Sequence, residues 1–193
     1  AGWQEARFAV PEAATRSGLN RLGLRFASSA RPVDVLGQAV IGNTGVQAPV
    51  DIEVNSGGAA QDIAYITLIT PEGQRQNASA GRRGYNLAAV DPRSGELLAM
   101  QGFDTWANSY EADKLAEFVE KLPEGAIVVA ATRDDASRFL TDRAVAALAT
   151  LGSAVDLRRA ETPGAGHALV GVKGAAPGAA AEVAGAEGAY LRL

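Results

Sequence analysis

The stretch that decides the fold is Tyr85-Asn-Leu-Ala-Ala-Val-Asp-Pro-Arg-Ser-Gly-Glu-Leu-Leu-Ala-Met100. Two apolar runs, residues 85–90 and 96–100, flank the sequence Asp91-Pro-Arg-Ser-Gly95. Proline in the second position of this loop and glycine in the last position suit a type I turn. The stretch therefore predicts a β-hairpin with a short polar loop.

On the N-terminal side of the hairpin, the sequence has the period of β-strands. Val50, Ile52 and Val54 alternate with polar residues, and Tyr65-Ile-Thr-Leu-Ile69 is rich in β-branched and aromatic side chains. Residues 1–30 predict two further strands, because their apolar positions alternate with charged ones. This half of the chain is predicted to be β-structure.

On the C-terminal side, the apolar period changes to that of α-helices. Asn108 and Ser109 are good N-cap residues for a first helix, which Pro123-Glu-Gly125 ends. Thr141 begins a second helix, and Gly152 is a candidate for the glycine that follows a helix end. Two short helices are therefore predicted among the strands.

Two apolar runs in this half predict core strands. Residues 126–131 predict a buried strand in parallel pairing, and residues 168–172 predict a last core strand. Between them, Asp134-Asp-Ala-Ser137 is predicted to open a short turn of helix, and the Ala/Gly-rich residues 175–188 are predicted to lie at the surface. The element order predicts an α/β fold with mixed sheets.

Composition excludes several classes of function. The net charge of −4, from 18 basic and 22 acidic side chains in 193 residues, provides no basic surface for nucleic acid. The longest apolar runs have the length of strands and are too short to span a membrane. No cysteine and a single histidine exclude disulfides and zinc–thiolate sites. No cofactor and no metal site are predicted.

Five short motifs follow one another in an order that resembles one family. They are Arg83-Gly-Tyr-Asn86, Phe103-Asp-Thr-Trp106, Asp134-Asp-Ala-Ser137, Leu151-Gly-Ser153 and Val172-Lys-Gly174. Together they resemble the interleukin-like EMT inducer (ILEI) domain, also called the PANDER-like domain, over about residues 50–183. The Ala, Gly and Arg bias suggests that this chain is a bacterial member.

The resemblance implies a two-sheet β-sandwich with short flanking helices, preceded here by additional N-terminal β-strands. We therefore predict an N-terminal β-strand extension over residues 1–45 and an ILEI-like domain over residues 46–193. Family members occur as secreted signalling-like proteins and as non-catalytic domains attached to carbohydrate-active enzymes. The resemblance thus implies an extracytoplasmic location and no enzymatic activity.

The implied role is recognition of a glycan by part of a glycosyltransferase-like membrane protein. The family pattern has Arg-Asp-x-Trp before its last strand, but this chain has Gly164-Ala-Gly-His167 there, so no sugar contact is carried over to those positions. Two alternatives remain open. The chain is a protein-interaction or structural module that packs against its parent chain, with an apolar patch near the tail, or it is a hydrolase that uses carboxylates.

Five residues are candidate ligand contacts: Asp134, Arg83, Asp104, Trp106 and His167. Carboxylates bind sugar hydroxyls and an aromatic face stacks on sugar C–H groups. Each residue also has a structural interpretation. Asp134 caps the next turn, Arg83 pairs with Asp104 or Asp134, Asp104 accepts from backbone donors beside a partly buried Trp106, and His167 is a hydrogen-bonded histidine.

Overall fold

The computed structural model describes residues 39–159 and 164–193. The strands predicted within residues 1–30 lie outside these ranges, and the domain boundary after residue 45 stays a prediction. In the described ranges the chain forms two antiparallel β-sheets and two α-helices. The predicted two-sheet β-sandwich with short flanking helices is confirmed.

The first sheet has four strands in the order β3-β2-β1-β9. Its strands are β1 (Asp51–Ser56), β2 (Ala64–Ile69), β3 (Arg75–Asn77) and β9 (Ala189–Arg192). Along β1, buried residues alternate with partly exposed ones, as expected for a strand with one face on the core. The predicted strands at residues 50–54 and 65–69 are confirmed as β1 and β2.

The second sheet has five strands in the order β5-β4-β6-β7-β8. Its strands are β4 (Gly84–Val90), β5 (Leu97–Phe103), β6 (Ile127–Arg133), β7 (Gly166–Val172) and β8 (Ala181–Gly185). Helix α1 (Ser109–Glu120) connects β5 to β6, and helix α2 (Asp142–Ala149) follows β6.

The predictions of parallel pairing for residues 126–131 and of mixed sheets were wrong, because all pairings between the strands named above are antiparallel. Strand β6 pairs with β4 on one side and with β7 on the other, antiparallel in both cases. The strand is continuously apolar because both of its faces are covered, by the first sheet on one side and by the helices on the other. Burial on two faces, and not strand direction, sets this pattern.

Two hydrophobic clusters lie on opposite faces of the second sheet. The cluster between the sheets includes Ile52, Ile66 and Val129, and the cluster under the helices includes Leu87, Leu115 and Leu148. Strands β4 and β7 are buried along their whole length. This sheet is therefore the rigid centre of the domain, and its ends position the loops considered below.

The local signals at the hairpin and the helix ends are confirmed. Asp91 Oδ1 accepts hydrogen bonds from the next backbone amides in the loop between β4 and β5, and Gly95 has φ +76°. Asn108 Oδ1 accepts from Glu111 N, 3.0 Å away, at the start of α1. Thr141 Oγ1 does the same for α2. These side chains satisfy backbone donors that a helix leaves unpaired.

One expectation for the loops was wrong. Residues 134–137 form no helical turn, since Asp134 has φ +56° and Asp135 Oδ1 accepts from Ser137 N. The Ala/Gly-rich residues 175–188 lie at the surface as predicted, although part of the segment forms strand β8. Strands β3, β8 and β9 have three to five residues each, which is too few for the apolar period to be recognised.

A candidate ligand-binding surface at one end of the second sheet

Strands β4, β5 and β6 each have one terminus at the same end of the second sheet. Strand β4 begins at Gly84, paired with Arg133 at the end of β6, while Tyr85 is paired with Phe103 at the end of β5. The residues just beyond these ends therefore meet. We call the group Arg83, Asp104, Trp106, Asp134 and Arg138 the loop surface.

Arg83 and Asp104 form a bidentate ion pair at the centre of the loop surface. Arg83 Nε lies 3.0 Å from Asp104 Oδ1, and Arg83 Nη2 lies 2.8 Å from Oδ2. The hydrogen bonds from Arg83 hold the pKa of Asp104 below its usual range. Asp104 Oδ1 also accepts from Ala107 N, 3.1 Å away, which confirms its predicted role in the turn.

Trp106 lies against two guanidinium groups. Arg83 Cζ is 4.1 Å and Arg138 Cζ is 4.6 Å from the centroid of the indole ring, within the range of cation–π interaction. Trp106 is partly buried, as its structural interpretation predicted. Both guanidinium groups stack on the indole, which helps to hold the two arginines in place.

The backbone before β4 is fixed by a buried asparagine. Asn86 Oδ1 accepts from Arg82 N at 2.8 Å, and Asn86 Nδ2 donates to Arg82 O at 2.7 Å. A Cβ at Gly84 would lie 2.2 Å from Phe103 O, and Gly84 has φ +85°. Only glycine fits at this position, so the Arg-Gly-x-Asn motif serves to place Arg83 over Trp106.

Asp134 lies at the same end of the sheet and has an unusual backbone. It is the one non-glycine residue with positive φ in the described ranges. The charge of Asp134 contributes to raising the pKa of Arg83, after the larger effect of Asp104. Its neighbour Arg133 is engaged elsewhere, in a two-point ion pair with Asp62. Residues in sparsely populated backbone regions cluster at functional sites, and aspartate enters this region more readily than most side chains do.

His167 does not lie with the other candidates. Its side chain is fully buried within the second sheet. Nδ1 shares a 3.0 Å hydrogen bond with the Tyr85 hydroxyl, and Nε2 lies 3.3 Å from Glu182 Oε2. The hydrogen-bonded histidine that its structural interpretation predicted is confirmed, and His167 has no surface to offer to a ligand.

Glu182 closes this buried network. Burial raises its pKa, but hydrogen bonds from His167, Ala154 N and Ser153 outweigh burial and lower it overall. An ionised carboxylate can only accept hydrogen bonds, so His167 Nε2 carries a proton. In neutral His167 the Nδ1 atom then accepts from the Tyr85 hydroxyl.

Sequence reasoning missed Arg138, which completes the loop surface. Arg138 directly follows the Asp134–Ser137 motif and is exposed, but nothing in its local sequence distinguishes it from a solvated arginine. In the described ranges no group of three or more acidic or histidine side chains is arranged to hold a metal ion. No helix in those ranges is long and apolar enough to cross a membrane.

The fold and the loop surface define a β-sandwich domain that presents ordered polar loops at one end of its central sheet. Residues 83–175 match the model of the family described as interleukin-like EMT inducer. The predicted resemblance to the ILEI/PANDER-like domain is confirmed for this segment, which runs from β4 to just beyond the end of β7. Strands β1, β2, β3, β8 and β9 lie outside it.

Curated proteins show the same relationship. The human cell migration-inducing and hyaluronan-binding protein is 36% identical over 75 residues, which are 39% of this chain and 6% of that protein. Protein FAM3C of Xenopus tropicalis is 38% identical over 73 residues, which are 38% of this chain and 31% of that protein. Protein FAM3A of Mus musculus is 37% identical over 71 residues, 37% of this chain and 30% of that protein. The chain thus spans less than a third of these relatives.

Proposed function

We propose that this chain is a non-catalytic, extracytoplasmic recognition domain that binds carbohydrate at the loop surface. We further propose that its parent is a bacterial glycosyltransferase-like protein. The observation that carries the proposal is the grouping of Arg83, Asp104, Trp106 and Asp134 at one end of a rigid sheet, with Arg138 beside them.

The chemistry of the loop surface supports a sugar ligand. Guanidinium N–H groups donate to ring and hydroxyl oxygens, and the carboxylate of Asp134 accepts from hydroxyls. Because the Arg83–Asp104 pair and the indole hold one another, these groups lose little freedom when a ligand binds. One relative is named as hyaluronan-binding, which is said of that whole protein and supports a glycan here only by similarity.

Binding to a glycan array by the full chain tests the proposal. Arg138→Ala removes an exposed guanidinium from the loop surface, and Arg93→Ala removes one from the distant β4–β5 loop as a matched control. We expect the Arg138 variant to lose binding to at least one glycan that the wild type binds, while the Arg93 variant keeps that binding. No signal above background at millimolar sugar, or equal binding of every glycan by both variants, would contradict the proposal.

Association with a glycosyltransferase-like parent needs a separate test. The full-length gene should encode membrane spans and a transferase domain in the same chain. A gene that ends near these residues, with no transferase domain and no export signal, would contradict both the association and the extracytoplasmic location.

A protein-interaction role is the second candidate, and one observation favours it. Strand β5 is an edge strand of the second sheet, and Leu98 and Met100 on it are each 49% exposed. Exposed apolar side chains on an unpaired edge favour pairing with another chain. Leu98→Lys with Met100→Lys should abolish co-purification with the parent protein if this edge is its docking site.

The carboxylate hydrolase has no support in the geometry of the described residues. Asp134 and Asp135 are neighbours in one loop, and Asp135 Oδ1 is occupied by Ser137. Two acids that flank a glycosidic bond stand about 5–9 Å apart on opposite sides of the bond. If the wild type hydrolyses any glycoside and the double variant Asp134→Asn, Asp135→Asn does not, the non-catalytic proposal is contradicted.

A further inference from the structure

A cleft lined mainly by polar side chains lies on the outer face of the first sheet, which is the face turned away from the hydrophobic core. The cleft has a volume of about 270 Å³ and is lined by Glu53, Asn55, Tyr65, Thr67, Arg75 and Tyr190. These residues come from β1, β2, β3 and β9, all outside the segment that matches the family model. None of them belongs to the loop surface.

Two exposed tyrosines flank the cleft at a spacing that the strand register sets. Asn55 on β1 is paired with Tyr65 on β2 and with Tyr190 on β9, so the three side chains form one row across the sheet. Tyr65 is 56% exposed and Tyr190 is 57% exposed. Two strand spacings separate the tyrosines by about 9.5 Å, which is roughly the span of a disaccharide.

The residues beside this row on the same face carry equal numbers of positive and negative charges. The carboxylate of Glu53 accepts from Arg75 and lies 3.3 Å from Arg192 Nη1, and Arg192 Nη2 lies 3.5 Å from Asp51 Oδ2. Two arginines thus face two acids on this face, and the two charged residues that line the cleft itself, Glu53 and Arg75, also balance. This balance favours an uncharged ligand over a polyanion such as nucleic acid or an acidic glycan.

From this arrangement we infer that the outer face of the first sheet is a binding site for a neutral oligosaccharide. Tyr65 and Tyr190 stack against the C–H faces of two pyranose rings, and Asn55 binds hydroxyls between them. Glu53 and Arg75 offer an acceptor and donors at the edge of the rings, as ligand sites with a few placed polar groups do. Glu53 at the floor of the cleft is of a residue type that is depleted at the centres of protein interfaces.

The site is tested by ¹H–¹⁵N spectra of the full chain titrated with four neutral probes: xylohexaose, cellohexaose, mannohexaose and chitohexaose. We expect at least one probe to shift the amides around Asn55, Tyr65 and Tyr190. Tyr65→Ala and Tyr190→Ala should each weaken that probe's binding about tenfold or more. Tyr110→Ala, which removes a 64% exposed tyrosine from α1, is the matched control and should leave the affinity unchanged.

The design separates this site from the loop surface. Arg138→Ala should leave the affinity for the neutral probe unchanged. The proposal for the loop surface and the inference for this cleft can therefore fail independently of each other. Tyr65→Phe and Tyr190→Phe should retain binding, because the stacking rings remain. Absence of shifts at this row with all four probes overturns the inference. The inference is also overturned if the wild type self-associates and Tyr65→Ala or Tyr190→Ala makes it monomeric, because the face would then be a contact between copies of the chain.

Discussion

A buried serine links the two sheets, and its removal gives a quantitative test of the fold. Ser56, the last residue of β1, is fully buried, and its Oγ accepts from Thr132 N and from His167 N, each 2.9 Å away. The same hydroxyl lies 2.8 Å from Thr132 O and 2.7 Å from Thr132 Oγ1. One side chain of the first sheet therefore completes the hydrogen bonding between β6 and β7 of the second.

In Ser56→Ala the two amides are affected differently. His167 N keeps Thr132 Oγ1 as an acceptor, 2.9 Å away, but Thr132 N loses the Ser56 hydroxyl. Leaving one buried donor unpaired costs about 1–3 kcal/mol. We therefore expect the free energy of unfolding to fall by about 2 kcal/mol, and the melting temperature to fall by roughly 4–8 °C for a domain of this size.

Urea denaturation measures this change, and the expected result is a lower midpoint with an unchanged m value. Hydrogen exchange should show faster exchange of the Thr132 amide than of the His167 amide. Ser109→Ala is the control, because Ser109 is exposed at the start of α1 and its loss should change stability by less than about 0.5 kcal/mol. A Ser56 variant as stable as this control would refute the reasoning.

Three further predictions concern the loop surface and the contact between the sheets. Asn86→Ala frees the backbone at Arg82 and should cost about 1–3 kcal/mol, with glycan binding reduced in the array assay. Asp104→Asn removes a carboxylate whose pKa is lowered by its arginine partner. The stabilisation that this carboxylate contributes is present above the ordinary carboxyl pKa and is lost as the pH falls through the pKa of the folded state. The stability difference between wild type and this variant, at most about 1 kcal/mol at neutral pH, should therefore vanish in acid denaturation curves. Gly166→Ala places a Cβ 2.4 Å from Ser56 O and should lower the melting temperature more than Ser56→Ala does.

Local chemistry made several elements predictable. The hairpin loop, the N-caps at Asn108 and Thr141 and the positive φ of Gly152 depend on residues within a few positions of one another. The strands β1, β2, β4, β6 and β7 were predictable because apolar period or continuous apolar runs mark them. Strands β3 and β9 were not, since each is defined by pairing with a neighbour rather than by its own composition.

The candidate site was predictable only in part. Arg83, Asp104 and Trp106 were named from their motifs, and the structure brings them together. The choice of Asp104 as the partner of Arg83, the place of Arg138 beside the indole and the burial of His167 depend on which strand ends meet. Tyr65 and Tyr190 are 125 positions apart in sequence, so only strand pairing shows that they share a face.

The sequence by itself determined the positions of the longer strands and of the two helices, the class of the fold and the motifs of the ILEI-like segment. These depend on backbone preference and on the period of apolar side chains, both of which are local. The tertiary structure alone decided strand direction, the hydrogen bonds of Ser56 between the sheets, the pairing within the loop surface and the tyrosine cleft. Each of these depends on contacts between residues far apart in the chain, which form only when both sheets have packed.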